Sequence, residues 1–125
     1  MSRVIRRIAP FAAVCVVVML TLPASSSAAT CRLSPSTARN MGPTYVIEAQ
    51  LKQTGTSCSN AVRVTRAFHS CRLRRGKRGR CTTAVRGYSC RDRRPSDESI
   101  ATQFTGHVTC RRGGARITHS YQQDT

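Results

Sequence analysis

Between residues 44 and 52 apolar and polar side chains alternate, with Tyr45, Ile47, Ala49 and Leu51 on one side of the chain and Val46, Glu48 and Gln50 on the other. A period of two predicts a half-buried strand. Gly55 ends it, and Ser57 or Ser59 is placed to cap a helix by accepting a hydrogen bond from an otherwise unpaired amide. The spacing then predicts a helix over residues 60–71, because Ala61, Val64, Phe68 and Cys71 recur every three or four positions while Arg63, Arg66 and Ser70 fall elsewhere. Residues 72–80 carry two glycines and crowded like charges, which predicts a loop.

Further on, residues 83–91 predict a second strand with Tyr88 and Cys90 sharing a face, and residues 92–99, with Pro95, a polar connection. A third strand is expected over residues 101–111. Gly113-Gly114 fits a two-residue primed turn with positive φ at both central residues, returning the chain as a last strand over residues 115–121. That turn sets a register: Arg112 faces Ala115, Cys110 faces Ile117, Val108 faces His119 and Gly106 faces Tyr121. One face then gathers Phe104, Val108, Cys110, Ile117 and Tyr121, and the other Thr105, His107, Thr109, Arg111, Arg116 and Thr118. A helix laid on the first face makes a small α+β domain, one helix on a three- to four-stranded, mainly antiparallel sheet.

The N-terminal part reads differently. Arg3, Arg6 and Arg7 precede an apolar run over residues 8–22 and then a stretch of alanine and serine, the three-part layout of a secretion signal. Ser27 and Ala29 place cleavage before Thr30, which leaves 96 of the 125 residues. The apolar run is short for a membrane span and is bounded by Pro10 and Pro23. The chain therefore divides into a leader over 1–29, an arm over 30–43, expected to be irregular because of Pro35 and Pro43, and one domain over 44–125. A secreted or extracellular protein, or one associated with the cell envelope, is expected.

Loss of the leader removes Cys15 and leaves Cys31, Cys58, Cys71, Cys81, Cys90 and Cys110, an even set that predicts three disulfides. Zinc is disfavoured, since no Cys-x-x-Cys pair occurs. Cys71 and Cys81, at the two ends of the basic loop, are expected to pair. Cys58 is then expected to join Cys90 or Cys110, with Cys31 taking the remaining one. A 96-residue chain without tryptophan builds a modest core, so each disulfide, at about 2–4 kcal/mol, is a large part of its stability.

The pattern Ser57-Cys58-Ser59-Asn60-Ala61, then Gly87-Tyr88-Ser89-Cys90-Arg91, then Val108-Thr109-Cys110-Arg111-Arg112-Gly113 resembles small secreted cysteine-containing proteins of unknown function from high-GC Gram-positive bacteria. The resemblance implies an extracellular α+β domain with its cysteine-bearing helix against a small sheet. It implies no activity.

Charge narrows the partners. Without the leader, 18 Lys and Arg stand against five acids, a net charge of +13 that favours an anionic polymer or envelope surface. Arg72, Arg74, Arg75, Lys77, Arg78 and Arg80 fall within nine residues with no acid among them and form the expected anion-binding site. Arg91, Arg93, Arg94, Arg111, Arg112 and Arg116 extend the field. The few aromatic residues are claimed by the core, so base stacking and sequence-specific nucleic-acid recognition are not expected. A ribonuclease would need an acid and a base together, but His107 and His119 point to opposite faces, His69 lies on the helix and Glu48 on another strand. A serine hydrolase lacks its Gly-x-Ser-x-Gly elbow, and Asp92, Asp97 and Asp124 fall in a linker or tail. The expectation is a monomeric, non-enzymatic cationic domain without cofactor or metal; a small hydrolase, an inhibitor or an antimicrobial protein is the alternative.

Overall fold

The structure, a computed structural model, describes residues 27–47 and 50–125. Most of the expected leader, together with Glu48 and Ala49, lies outside the described residues. One antiparallel sheet organises the rest, with strand order β1-β3-β7-β6-β4. Its strands are β1 (Ala29–Arg32), β2 (Tyr45–Val46), β3 (Gln50–Thr54), β4 (Ser89–Arg93), β5 (Ser99–Ile100), β6 (Gln103–Arg112) and β7 (Ala115–Asp124). Off this order, β2 pairs with β7 and β5 with β6. A short helix α1 (Pro35–Arg39) follows β1, and the long helix α2 (Cys58–Leu73) covers one face of the sheet. The architecture is the expected α+β one, built on more strands than the sequence suggested.

The long hairpin carries the sheet. Cys110 opposes Ile117, Val108 opposes His119 and Gly106 opposes Tyr121, as the turn dictated. Of the two turn glycines only Gly113, at φ 54°, uses the left-handed region, so the turn needs positive φ at its first central residue alone. At Gly106 the requirement is space, because an added Cβ would lie 2.3 Å from the Tyr121 ring. β6 spans Gln103–Arg112 against the expected 101–111, and β7 outlasts its expected end, continuing to Asp124.

Helix α2 begins earlier and ends later than expected. Ser57 caps it, its hydroxyl accepting from the Asn60 amide at 3.2 Å. Ala61, Val64 and Phe68 turn to the sheet and meet Leu51, Phe104, Val108, Ile117 and Tyr121 in the core. Thr65, His69 and Arg72 lie on the same buried stripe.

Four expectations about the elements need correction. The arm is not irregular: β1 pairs in register with β3, Cys31 opposite Leu51, and Ser34 caps α1 through the Thr37 amide. The expected cleavage bond, between Ala29 and Thr30, falls within β1. The strand expected over 44–52 is interrupted, because Val46 opposes Tyr121 whereas Lys52 opposes Thr118, so this side holds extra residues between the two pairings. That change of register resets the alternation. Val46 and Leu51 both face the core and Tyr45 is exposed, contrary to the single alternating face expected. The strand expected over 83–91 is displaced to β4; Val85 and Tyr88 instead close a tight turn through Arg86 and Gly87, both at positive φ. The connection expected over 92–99 holds the end of β4, one turn of 3-10 helix (Ser96–Glu98) and β5.

The disulfides are Cys31–Cys58, Cys71–Cys81 and Cys90–Cys110. The pair across the basic loop is as expected, but Cys58 joins neither Cys90 nor Cys110. The reason is register: Cys90 and Cys110 oppose each other directly on β4 and β6, and incorporation of β1 in the sheet brings Cys31 to the start of α2.

Candidate anion-binding face

The basic loop is less free than its sequence implies. Arg72 belongs to the last turn of α2 and is fully buried. Its Nε donates to His69 Nδ1 at 2.8 Å, and its terminal nitrogens donate to the Lys77 carbonyl at 3.0 Å and to Gln123 Oε1 at 2.8 Å. The guanidinium also lies 4.5 Å from the centre of the Tyr121 ring. Arg78 donates to the Ala101 carbonyl and Arg80 to the Asp92 carbonyl. Arg94 spans from Asp92 to the Arg78 and Gly79 carbonyls. Arg74, Arg75 and Lys77 alone of the six remain exposed without a side-chain hydrogen bond among the described residues. The other three hold the loop in shape, and Arg72 is withdrawn from any anion in solvent.

Under that loop a buried polar chain fixes its own protons. An arginine Nε only donates, so His69 accepts at Nδ1 and carries its proton on Nε2. That proton reaches His119 Nε2 at 2.9 Å. His119 must then hold its own proton on Nδ1, which has no partner among the described residues. Both rings are neutral. Burial, then the facing positive groups, holds the His69 pKa well below the ordinary histidine value and lowers that of His119 to about 3. Next to them Tyr121 donates to Asp92 at 2.9 Å, and burial with that carboxylate pushes the phenol pKa up. Asp92, expected in a linker, is an inward residue of β4 opposite Val108.

The other side of the sheet is built by alternation alone. Pairing sets Arg93, His107 and Ser120 in one row across β4, β6 and β7. Arg91, Thr109, Thr118, Lys52 and Thr30 form the next row, and Ser89, Arg111, Arg116 and Thr54 a third. Arg32, two residues from Thr30 on β1, shares this face. Hydroxyls thus floor the middle of the face, and six exposed cations, Arg32, Lys52, Arg91, Arg93, Arg111 and Arg116, surround them. None of the six makes a side-chain hydrogen bond or salt bridge among the described residues. Three shallow clefts run together here: one along His107, Thr109, Thr118, Ser120 and Lys52, a second sharing Thr109 with Arg91 and Arg111, and a third sharing Lys52 and Thr118 with Arg116.

At one end of this trough His107 bridges two partners. Its Nδ1 lies 2.8 Å from Ser120 Oγ and its Nε2 2.7 Å from Glu98 Oε2. Glu98 comes from the 3-10 turn, which is held by Ser99 donating to the Pro95 carbonyl and by the pairing of β5 with β6. His107 and His119 do point to opposite faces, as expected, while His69 and His119 meet across the helix–sheet interface. Among the described residues no three His, Cys, Asp or Glu side chains converge as a metal site would require. The hairpin register already assigned His107, Thr109, Arg111, Arg116 and Thr118 to one face; Lys52, Arg91 and Arg93 join only when the strand order is known. Glu98 depended on a linker folding back, which no period signals.

The chain matches no family model, no curated protein and no solved structure.

Proposed function

We propose that this protein is an exported cationic domain that binds an anionic polymer of the extracellular space or cell envelope along the outer face of its sheet. One observation carries the reading: strand register places six cations, unpaired among the described residues, around a hydroxyl floor, on a face whose one described acid, Glu98, is engaged by His107. Arginine donates to phosphate, sulfate or carboxylate through a planar fork, and serine and threonine hydroxyls complete the contact. The face crosses five strands at about 4.8 Å each, which suits an extended chain lying across the strands better than a small anion. Three disulfides suit an oxidising compartment, and among the described residues no helix is long and apolar enough to cross a membrane. Arg74, Arg75 and Lys77 add a secondary patch at the end of α2.

Amide and side-chain NMR shifts on titration with a heparin oligosaccharide test the reading. The expected perturbations fall on Lys52, Arg91, Thr109, Arg111, Arg116 and Thr118. Shifts confined to residues 74–80 would move the site to the loop and overturn it.

A further inference from the structure

We propose that the cleft at Ser120 hydrolyses carboxylic esters, with Ser120 as nucleophile, His107 as general base and Glu98 as the group that fixes the imidazole. The relay is set by the fold. His107 and Ser120 are directly opposed on β6 and β7, and their Nδ1–Oγ distance is 2.8 Å. On the far side of the ring Glu98 Oε2 stands 2.7 Å from Nε2. A carboxylate only accepts, so Nε2 carries the proton and Nδ1 is left to accept from the serine hydroxyl. A nucleophile within hydrogen-bond reach of a base, and a third group orienting that base, are what activation of a serine requires. Here the two ring nitrogens exchange the places they hold in the familiar Ser-His-Asp arrangement. The proton transfer is the same.

All three groups meet solvent. Ser120 and His107 line the cleft together with Lys52, and the His107 and Glu98 side chains are 33% and 41% exposed. In the first step Ser120 Oγ adds to the ester carbonyl carbon while its proton passes to His107 Nδ1. Lys52 supplies positive charge in the same cleft for the oxygen that becomes negative. Collapse breaks the bond to the alcohol oxygen, which leaves with the proton from Nδ1. Water then adds to the acyl-serine, giving its proton to Nδ1, and departing Ser120 Oγ recovers that proton as the carboxylic acid is released. That the ester is borne by an anionic chain rests on the binding reading above; the ester chemistry does not.

The test uses the disulfide-bonded protein with p-nitrophenyl acetate and a fluorophosphonate probe. The probe mass is expected on the peptide containing Ser120. Ester hydrolysis is expected to be at least tenfold faster than in S120A and H107A, with E98Q between them and wild type, and with the melting temperature of S120A unchanged. No adduct on wild-type Ser120, or equal rates for wild type and S120A, would overturn the proposal. Heparin retention of the same wild-type sample reports the binding reading separately: retention without hydrolysis removes the esterase alone, and hydrolysis without retention leaves the esterase standing and removes the polyanion.

Discussion

Arg72 shows how one side chain can be read as a surface charge and serve as a core strut. It is a buried cation with no carboxylate of the described residues on its guanidinium, held by three acceptors and the face of Tyr121. Replacing it with leucine strands His69 Nδ1, the Lys77 carbonyl and Gln123 Oε1, and is expected to cost roughly 2–4 kcal/mol in urea unfolding. Lysine is not expected to restore the loss, because it lacks the fork that reaches three acceptors at once. The neighbouring histidines set the response to acid. Their folded pKa values are lowered, so the unfolded chain binds more protons once the pH falls below about 6.5. The stabilising effect of keeping them neutral is complete above that value and is lost as the pH falls toward the folded value, about 3 for His119. For His119 the loss is about 1.4 kcal/mol per pH unit within that window. Melting temperatures between pH 7 and pH 4 should therefore fall more steeply in wild type than in His119→Gln, which keeps an acceptor for His69 but does not titrate. Equal slopes would mean that these rings are already charged in the fold.

At the scale of elements, what could be read from the chain depended on whether a pattern was local. Helix α2 and the β6–β7 hairpin were legible because a 3.6-residue stripe, a serine cap and a glycine turn each act over a few residues, and the hairpin register assigned both sheet faces. The first strand was misread because the register changes between Val46 and Lys52 and shifts the alternation, and the pairing that defines that change is made with β7, far along the chain. The arm was misread for a similar reason: β1 is four residues long and exists by pairing with β3. Two disulfides went wrong with it, since placing Cys31 required knowing that β1 lies beside β3. A non-reducing peptide map should find Cys31–Cys58, Cys71–Cys81 and Cys90–Cys110. Replacing Cys31 and Cys58 together by serine is expected to cost about 2–4 kcal/mol, because that link closes a 27-residue separation and anchors both β1 and the start of α2. A map joining Cys58 to Cys90 or Cys110 would contradict the register of β4 on β6.

For the whole molecule the question is how the positive charge is distributed. The sequence concentrates it in one nine-residue loop, whereas folding spends half of that cluster on internal hydrogen bonds and assembles a second cluster from five strands that no local motif marks. Binding to phosphate chains releases counterions, so affinity falls with salt at a slope of about 0.9 per neutralised phosphate on duplex DNA. Matched salt titrations on DNA of wild type, of an outer-face variant with Arg91, Arg93, Arg111 and Arg116 changed to serine, and of a loop variant with Arg74, Arg75 and Lys77 changed to serine compare the two clusters directly. The outer-face variant is expected to lose roughly three units of slope and most of its low-salt affinity, and the loop variant about one unit or less. A loop variant that loses as much as the outer-face variant, or an outer-face variant that binds like wild type, would contradict the assignment of the sheet face as the binding surface.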